Sequence, residues 1–192
     1  ADYAVTEAML RFFISRSLGA RSWFKPEVMI CVPAGCTQVE RRAALDATLS
    51  AGAKEAYLID EPLAAAIGAG MPIAEAAGHM ILDIGGGAAE AAVIALGGVV
   101  VHKSARVGGN KLDEAIADYI RRSHSLIIGD QTAEMIKLKI GSATKLPKEE
   151  SMEVKGRDSV SGLPQTITIT SSDVTTALAR PLSQIVGVVK AV

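Results

Sequence analysis

Aromatic side chains are scarce in this sequence, at 4% of residues, and that scarcity argues against base-stacking platforms for single-stranded nucleic acid. An excess of charge of either sign is missing as well. Twenty Lys and Arg nearly balance 21 Asp and Glu, giving a formal net charge of -1. Without a basic field, no nucleic-acid partner is expected. Two cysteines, Cys31 and Cys36, are too few for a disulfide framework or a zinc site. The histidines His79, His102 and His124 are scattered and read as ordinary. This cysteine usage fits a reducing cytoplasm. No apolar run is long enough to span a bilayer, and no signal peptide opens the chain. There is no initiating methionine either. The chain starts Ala1-Asp2-Tyr3 on the approach to a helix and stops at Val192 inside an apolar helical pattern. Both ends are therefore expected to be cut from a longer fold.

What is present is the balance of a globular protein: 49% hydrophobic and 21% charged residues, rich in alanine, glycine and small aliphatics. The length of 192 residues suffices for one large domain or two small ones with real cores. Val5, Met9, Phe12 and Phe13 keep a helical period up to Leu18. Val28 to Val32 is a continuous apolar run stopped by Pro33, which predicts a buried strand with Cys31 in the core. Thr37 and Glu40 have the spacing of a capping box, opening a helix that stops at Gly52. Ala56 to Ile59 reads as a second buried strand. Pro62 then suits the first turn of the next helix. Strand–helix–strand–helix is half of an α/β domain.

A second unit is expected from about Gly78. Met80 to Ile84 reads as a strand. Gly97-Gly98, between Ala89–Ala95 and Val99–Ala105, signals a hairpin. Asn110 is a candidate cap for a helix carrying Leu112, Ile116, Tyr119 and Ile120. Another helix spans about Asp130 to Ile140, and Met152–Arg157 with Thr166–Thr170 predicts a small strand pair. Ser171 or Ser172 is the expected cap of a final helix interrupted at Pro181.

Three segments carry candidate chemistry. In the first, Asp83 ends a strand and Gly85-Gly86-Gly87 follows, leading into a hairpin. Glycines let backbone N–H groups approach an anion, and an adjacent carboxylate can hold hydrated Mg²⁺. A tight glycine turn with an exposed Asp is the plainer reading. A dinucleotide-binding fingerprint fails because Glu90 stands at its third glycine, and no Gly-Lys-Ser/Thr of a P-loop occurs. In the second, Asp60-Glu61-Pro62 ends a strand where a small-residue helix begins. A carboxylate there can orient an attacking water, or merely complement the helix N-terminus. In the third, Glu134 and Lys137 share a helix face. They can contact ribose or base, or form an ordinary solvated ion pair.

The order of these segments resembles the actin-like ATPase superfamily, and most closely its MreB type of bacterial cell-shape protein. The resemblance rests on Glu61-Pro62-Leu63-Ala64-Ala65-Ala66-Ile67-Gly68, Asp83-Ile84-Gly85-Gly86-Gly87, Arg106-Val107-Gly108-Gly109-Asn110-Lys111-Leu112-Asp113 and Thr132-Ala133-Glu134-Met135-Ile136-Lys137. The nearer likeness to the MreB type rests on Ile30 to Gly35, Val39 to Ala43, Ile67 to Ile73 and Ile140 to Ala143, with Val154 to Asp158 and Gly162 to Pro164 also fitting, so that the match runs nearly end to end. It implies an α/β, actin-like (ribonuclease H-like) ATPase fold with two domains. The first would be residues 1–75; the second would combine 76–112 with 172–192 and carry 113–171 as an inserted upper lobe.

The resemblance further implies ATP and Mg²⁺ as cofactors. Glu61 would position the hydrolytic water, and Asp83 would hold the metal indirectly, through water. Gly85, Gly86, Gly87 and Ala88 would cradle phosphates, Gly108 and Gly109 would lie near the nucleotide cleft, and Glu134 and Lys137 near the adenosine. Trp23 and Phe24 would form a loop that enters the inner face of the cytoplasmic membrane; the plainer alternative is that one of the two packs back on the domain. The implied protein is cytoplasmic and peripheral at that membrane. It self-associates into filaments, works with the cell-wall elongation machinery and hydrolyses ATP weakly. Two departures stand out. Ala88-Ala89 occupies positions where MreB-type proteins usually carry Thr-Thr. The family's first phosphate loop would precede Ala1 and its late adenosine loop would follow Val192, so this stretch alone is expected to bind ATP poorly. The alternatives are a nucleotide-independent or degenerate scaffold, or a chaperone or sugar kinase of the same superfamily, which would need a substrate domain or sugar pocket.

Overall fold

The apolar runs and their proline and glycine punctuation fold into α1 (Tyr3–Leu18), β1 (Glu27–Val32), α2 (Gln38–Ser50), β2 (Glu55–Asp60), α3 (Glu61–Gly68), β3 (His79–Ile84), β4 (Ala89–Ala95) and β5 (Gly98–Ala105). They continue as α4 (Gly109–His124), β6 (Leu126–Ile127), α5 (Asp130–Ile140), β7 (Ser151–Asp158), β8 (Pro164–Thr170) and α6 (Ser171–Lys190). The structure, a computed structural model, describes residues 3–19 and 25–192. Trp23 and Phe24 lie outside the described residues. Among the described residues, no helix is long and apolar enough to cross a membrane. The chain divides into two compact units, Ala1–Leu82 with Ala91–His102, and Asp83–Glu90 with Lys103–Val192.

In the first unit β1 and β2 pair in parallel, from Glu27 opposite Glu55 to Val32 opposite Asp60. The crossover is α2, opened by the expected capping box. Thr37 N–H donates to Glu40 Oε2 at 2.8 Å, and Glu40 N–H donates to Thr37 Oγ1 at 3.3 Å. Its C-cap is Ala51, and Gly52 follows in the left-handed region at φ 115°. The buried strands expected here are half bare. Cys31 is exposed, contrary to the sequence expectation, and shares its strand face with Met29, which is 64% exposed. Tyr57, opposite Met29 on β2, is also exposed. β1 carries apolar side chains on both faces, and the described residues cover only one of them.

A two-residue turn joins β4 to β5. It consists of Leu96 (φ 51°) and Gly97 (φ 78°), one position earlier than the Gly97-Gly98 pair suggested. Positive φ at both central residues gives the turn the twist a hairpin needs. Two bonds hold Leu96 in that unusual conformation: its N–H donates to Glu75 at 2.9 Å, and Gly97 N–H donates to Ile73 at 2.7 Å.

The second unit has a closed core. Ile116 and Ile120 of α4, Ala133, Ile136 and Ile140 of α5, and Val174 and Leu178 of α6 pack with Leu126, Val154 and Ile169 of the sheet β6-β7-β8. The α6 cap is Thr170, one residue before the serines expected to serve. Its N–H donates to Asp173 Oδ2 at 2.9 Å, and Asp173 N–H donates back to Thr170 Oγ1 at 3.3 Å. Ser171 is already helical, and its hydroxyl oxygen is taken by Glu150 N–H at 3.1 Å. Pro181 is buried inside α6 without interrupting it.

Candidate functional site

Residues Gly85–Ala88 link β3 to β4 in the second unit, closed by Gly85 N–H donating to the Ala88 carbonyl at 2.9 Å. The loop leans on the start of α4. Gly109 N–H donates to the Gly85 carbonyl and Asn110 N–H to the Gly86 carbonyl, each at 2.9 Å. Two N-terminal donors of α4 are thus satisfied by the loop instead of by a capping side chain. Asn110 is the second residue of the helix, and the N-cap is Gly108, with no side-chain cap bond. This corrects the cap read from sequence.

Glycine at 108 is a matter of space. A Cβ there would lie 2.3 Å from the Gly85 carbonyl oxygen and 2.8 Å from that of Gly86. A Cβ on Gly87 would meet nothing within 4 Å. None of Gly85, Gly86 and Gly87 has a left-handed backbone. Their contribution is therefore an open, unshielded backbone, and not an otherwise inaccessible φ. No described hydrogen bond uses the N–H of Gly86, Gly87 or Ala88, and all three residues are exposed. Such a run of amides suits an anion.

Asp83 stands two residues before the loop, half-buried, and no hydrogen bond or ion pair among the described residues takes its carboxylate. No group of three or more His, Cys, Asp or Glu among the described residues is arranged to hold a metal ion. A cation at Asp83 would accordingly be completed by water and phosphate oxygens. The two alanines differ in their surroundings. Ala89 is fully buried, packed with Val107 and Ile185, whereas Ala88 is exposed on the loop. Of the two, only Ala88 stands on the exposed loop, where a hydroxyl would face solvent or a bound group.

Lys137 of α5 reaches the same corner. Its Nζ lies 2.9 Å from each carboxylate oxygen of Asp113 and 3.4 Å from the Gly109 carbonyl oxygen. It pairs across to α4, and among the described residues no ion pair joins it to Glu134, which is exposed. Sequence reasoning assigned Asp113 no role. The available signal was its spacing: four residues after Gly109, it shares that residue's face of α4.

In the first unit, Asp60 ends β2 and is the N-cap of α3 without making a side-chain cap bond. Its carboxylate pairs instead with Arg41 of α2, which also donates to the Ala34 carbonyl at 3.5 Å. Glu61 is the first residue of α3, half-buried, at the carboxyl end of a parallel strand, where open α/β sheets present ligand-binding groups. Glu61 belongs to the first unit and Asp83 to the second.

The α/β elements and the glycine corner define an actin-like fold, and solved structures with that fold bear this out. MreB 5 of Spiroplasma citri, in crystal structures bound to AMPPNP and to ADP, superposes with a TM-score of 0.92 at 37% identity, over 100% of this chain and 57% of that one. A MamK double helical filament gives a TM-score of 0.78 at 20% identity, over 98% and 56%, a likeness of fold alone. The family model described as MreB/Mbl protein matches residues 1–192, and the chain belongs to that family. It is 49% identical over 191 residues to the cell shape-determining protein MreB of Escherichia coli (strain K12), covering 98% of this chain and 55% of that protein. The chain thus spans about half the length of the curated relatives it matches.

Proposed function

We propose that the protein carrying this chain binds ATP with Mg²⁺ and assembles into filaments. These filaments lie at the inner face of the cytoplasmic membrane, organise cell-wall synthesis and so set rod shape. The observation that supports this best is the glycine corner: exposed amides at Gly86, Gly87 and Ala88, braced from behind by Gly108 and Gly109. In this reading those amides receive phosphate oxygens. Asp83 holds the metal through water, Glu61 orients the water that attacks, and Glu134 and Lys137 serve the nucleoside. The bound nucleotide supplies the phosphoanhydride whose hydrolysis resets the filament. The protein residues position, solvate and polarise.

A second reading, a filament scaffold that does not depend on nucleotide, draws on Ala88-Ala89. Burial of Ala89 weakens that reading, because it leaves a single missing hydroxyl at the exposed loop. One neutral hydrogen bond is worth about 1 kcal/mol.

Full-length protein titrated with Mg-ATP, then viewed by electron microscopy with and without lipid, tests the proposal. Unsubstituted protein should bind and assemble. Asp83→Ala should lose binding, and Glu61→Ala should keep binding while hydrolysing more slowly. Filaments indifferent to nucleotide and to Asp83 would instead favour the scaffold. Liposome co-sedimentation of Trp23→Ala/Phe24→Ala separately tests the membrane loop, and unchanged sedimentation would rule it out.

A further inference from the structure

Asp113–Lys137 is an enclosed ion pair, with side-chain exposures of 15% for Asp113 and 20% for Lys137. The other pairs are largely local or surface contacts, several of them three or four residues apart on one helix. This pair joins α4 to α5, 24 residues apart in sequence. Enclosure makes it demanding. The ammonium lies 2.9 Å from both carboxylate oxygens, yet Oδ1 is buried without a hydrogen-bond partner. A carboxylate in that condition depends on its counter-charge, and burying the pair costs solvation that a surface pair keeps. Had stability been the only requirement, an apolar pair would have served as well.

What the pair does accomplish is placement. Lys137 sits on the Gly109 carbonyl, directly behind the corner whose N–H groups grip Gly85 and Gly86. A lysine side chain is long and free to rotate, and unrestrained it would extend into water. Asp113, one turn into α4 from Gly109, fixes the ammonium beside that corner.

We infer that Asp113 is a positioning residue for nucleotide, acting through Lys137 to hold its ammonium at the nucleoside side of the glycine corner. The inference rests on the nucleotide-binding reading above and assigns to it a residue that reading does not contain. Removing a negative charge near a polyphosphate favours any anion, and it does so nearly equally for ATP and for inorganic triphosphate. Losing the position of Lys137 penalises only the ligand that carries a nucleoside. The ratio of the two affinities therefore isolates positioning from net charge.

The experiment is isothermal titration of the full-length protein with Mg-ATP and with Mg-triphosphate, for Asp113→Asn, Lys137→Met and the double variant. Melting of each without ligand is recorded alongside. The preference for ATP over triphosphate should fall about tenfold in Asp113→Asn, by a similar factor in Lys137→Met, and no further in the double variant. Parallel shifts for both ligands, or losses that multiply in the double variant, overturn the inference. So does a drop in melting temperature with the ratio unchanged, which marks a purely structural pair. Should Asp113→Asn melt below the assay temperature, Asp113→Glu replaces it in the same cycle. Failure of the unsubstituted protein to bind ATP at all overturns the nucleotide reading together with this one, an outcome distinct from binding with an unchanged ratio.

Discussion

β1 of the first unit is apolar on both faces and leaves Met29 and Cys31 exposed, whereas the helices and sheet of the second unit enclose Ile116, Ile136 and Ile169 almost completely. The two units also build their candidate corners differently. The first uses a charge pair, Arg41 with Asp60, at the end of a parallel strand. The second uses backbone against backbone, with Gly108 pressed on the carbonyls of Gly85 and Gly86. A core that closes on its own elements can tolerate a corner defined to within a few tenths of an ångström, since a packed interior resists displacement. A strand pair covered on one side calls for a corner held by groups that can adjust.

The sharpest way to break this contrast is to remove matched apolar side chains. Ile136→Ala should cost about 3 kcal/mol of unfolding free energy, because its site is fully enclosed and cannot collapse. Met29→Ala in the same chain should cost about 0.5 kcal/mol or less. Urea denaturation followed by circular dichroism measures both. Equal losses would mean that the first unit buries Met29 in solution.

Glycine replacements probe the corner itself. Gly108→Ala drives a Cβ toward a carbonyl that would lie 2.3 Å away, and either the loop or α4 has to shift. About 2 kcal/mol of stability should be lost, and nucleotide affinity with it. Gly87→Ala meets nothing within 4 Å and should leave stability unchanged within about 0.5 kcal/mol. Thermal melting of the pair settles whether close approach, and not glycine content, is what the loop requires.

Much of this organisation was legible beforehand. The capping box at Thr37 and Glu40, the helix from Asp130 to Ile140 and the glycine loop after β3 are local patterns, and local patterns survive whatever surrounds them. Burial of Cys31 was misread because an apolar run announces that cover exists somewhere, without saying which residues provide it. The caps at Gly108 and Thr170 were misplaced because a cap is decided by which donor is free. At Ser171 the hydroxyl oxygen is already engaged by Glu150 N–H, while at Asn110 the helix N–H is satisfied by the Gly86 carbonyl. Asp113 was passed over because its partner lies on another helix, and one sequence holds no record of that pairing.

Acid should separate the units next. Burial pushes the Asp173 carboxyl up, but donation from the Thr170 N–H and hydroxyl, from Tyr119 and the nearby His124 charge outweigh it and hold it below its ordinary value. A depressed carboxylate stabilises the fold above its unfolded-state pKa, and that contribution disappears as pH falls through the folded value. The loss should therefore set in below about pH 4. Tyr119, raised chiefly by donating its hydroxyl to Asp173 at 2.9 Å, works in the opposite sense. Its contribution is present below the ordinary tyrosine pKa and is lost as pH rises beyond about 10. Asp173→Asn should cost about 1 kcal/mol at neutral pH and flatten the acid limb of a stability–pH curve. An unaltered acid limb would mean that Asp173 does not carry it.

The smallest expected effect lies in the first unit's corner. Asp60 occupies the N-cap of α3 with an extended backbone, φ -68° and ψ 133°, yet gives its carboxylate to Arg41 and not to the helix. Arg41→Ala removes a partly exposed pair worth about 0.5 kcal/mol. It also frees a residue already standing in cap position, whose carboxylate can then accept the N–H groups of the first turn. The two changes oppose each other, so Arg41→Ala should be close to neutral in urea denaturation. Asp60→Ala, which removes both options, should cost about 1 kcal/mol. The Arg41→Ala/Asp60→Ala double variant should then match Asp60→Ala alone. A loss of several kcal/mol on Arg41→Ala would show that this corner is as rigidly defined as the glycine corner, and the contrast between the units would not hold.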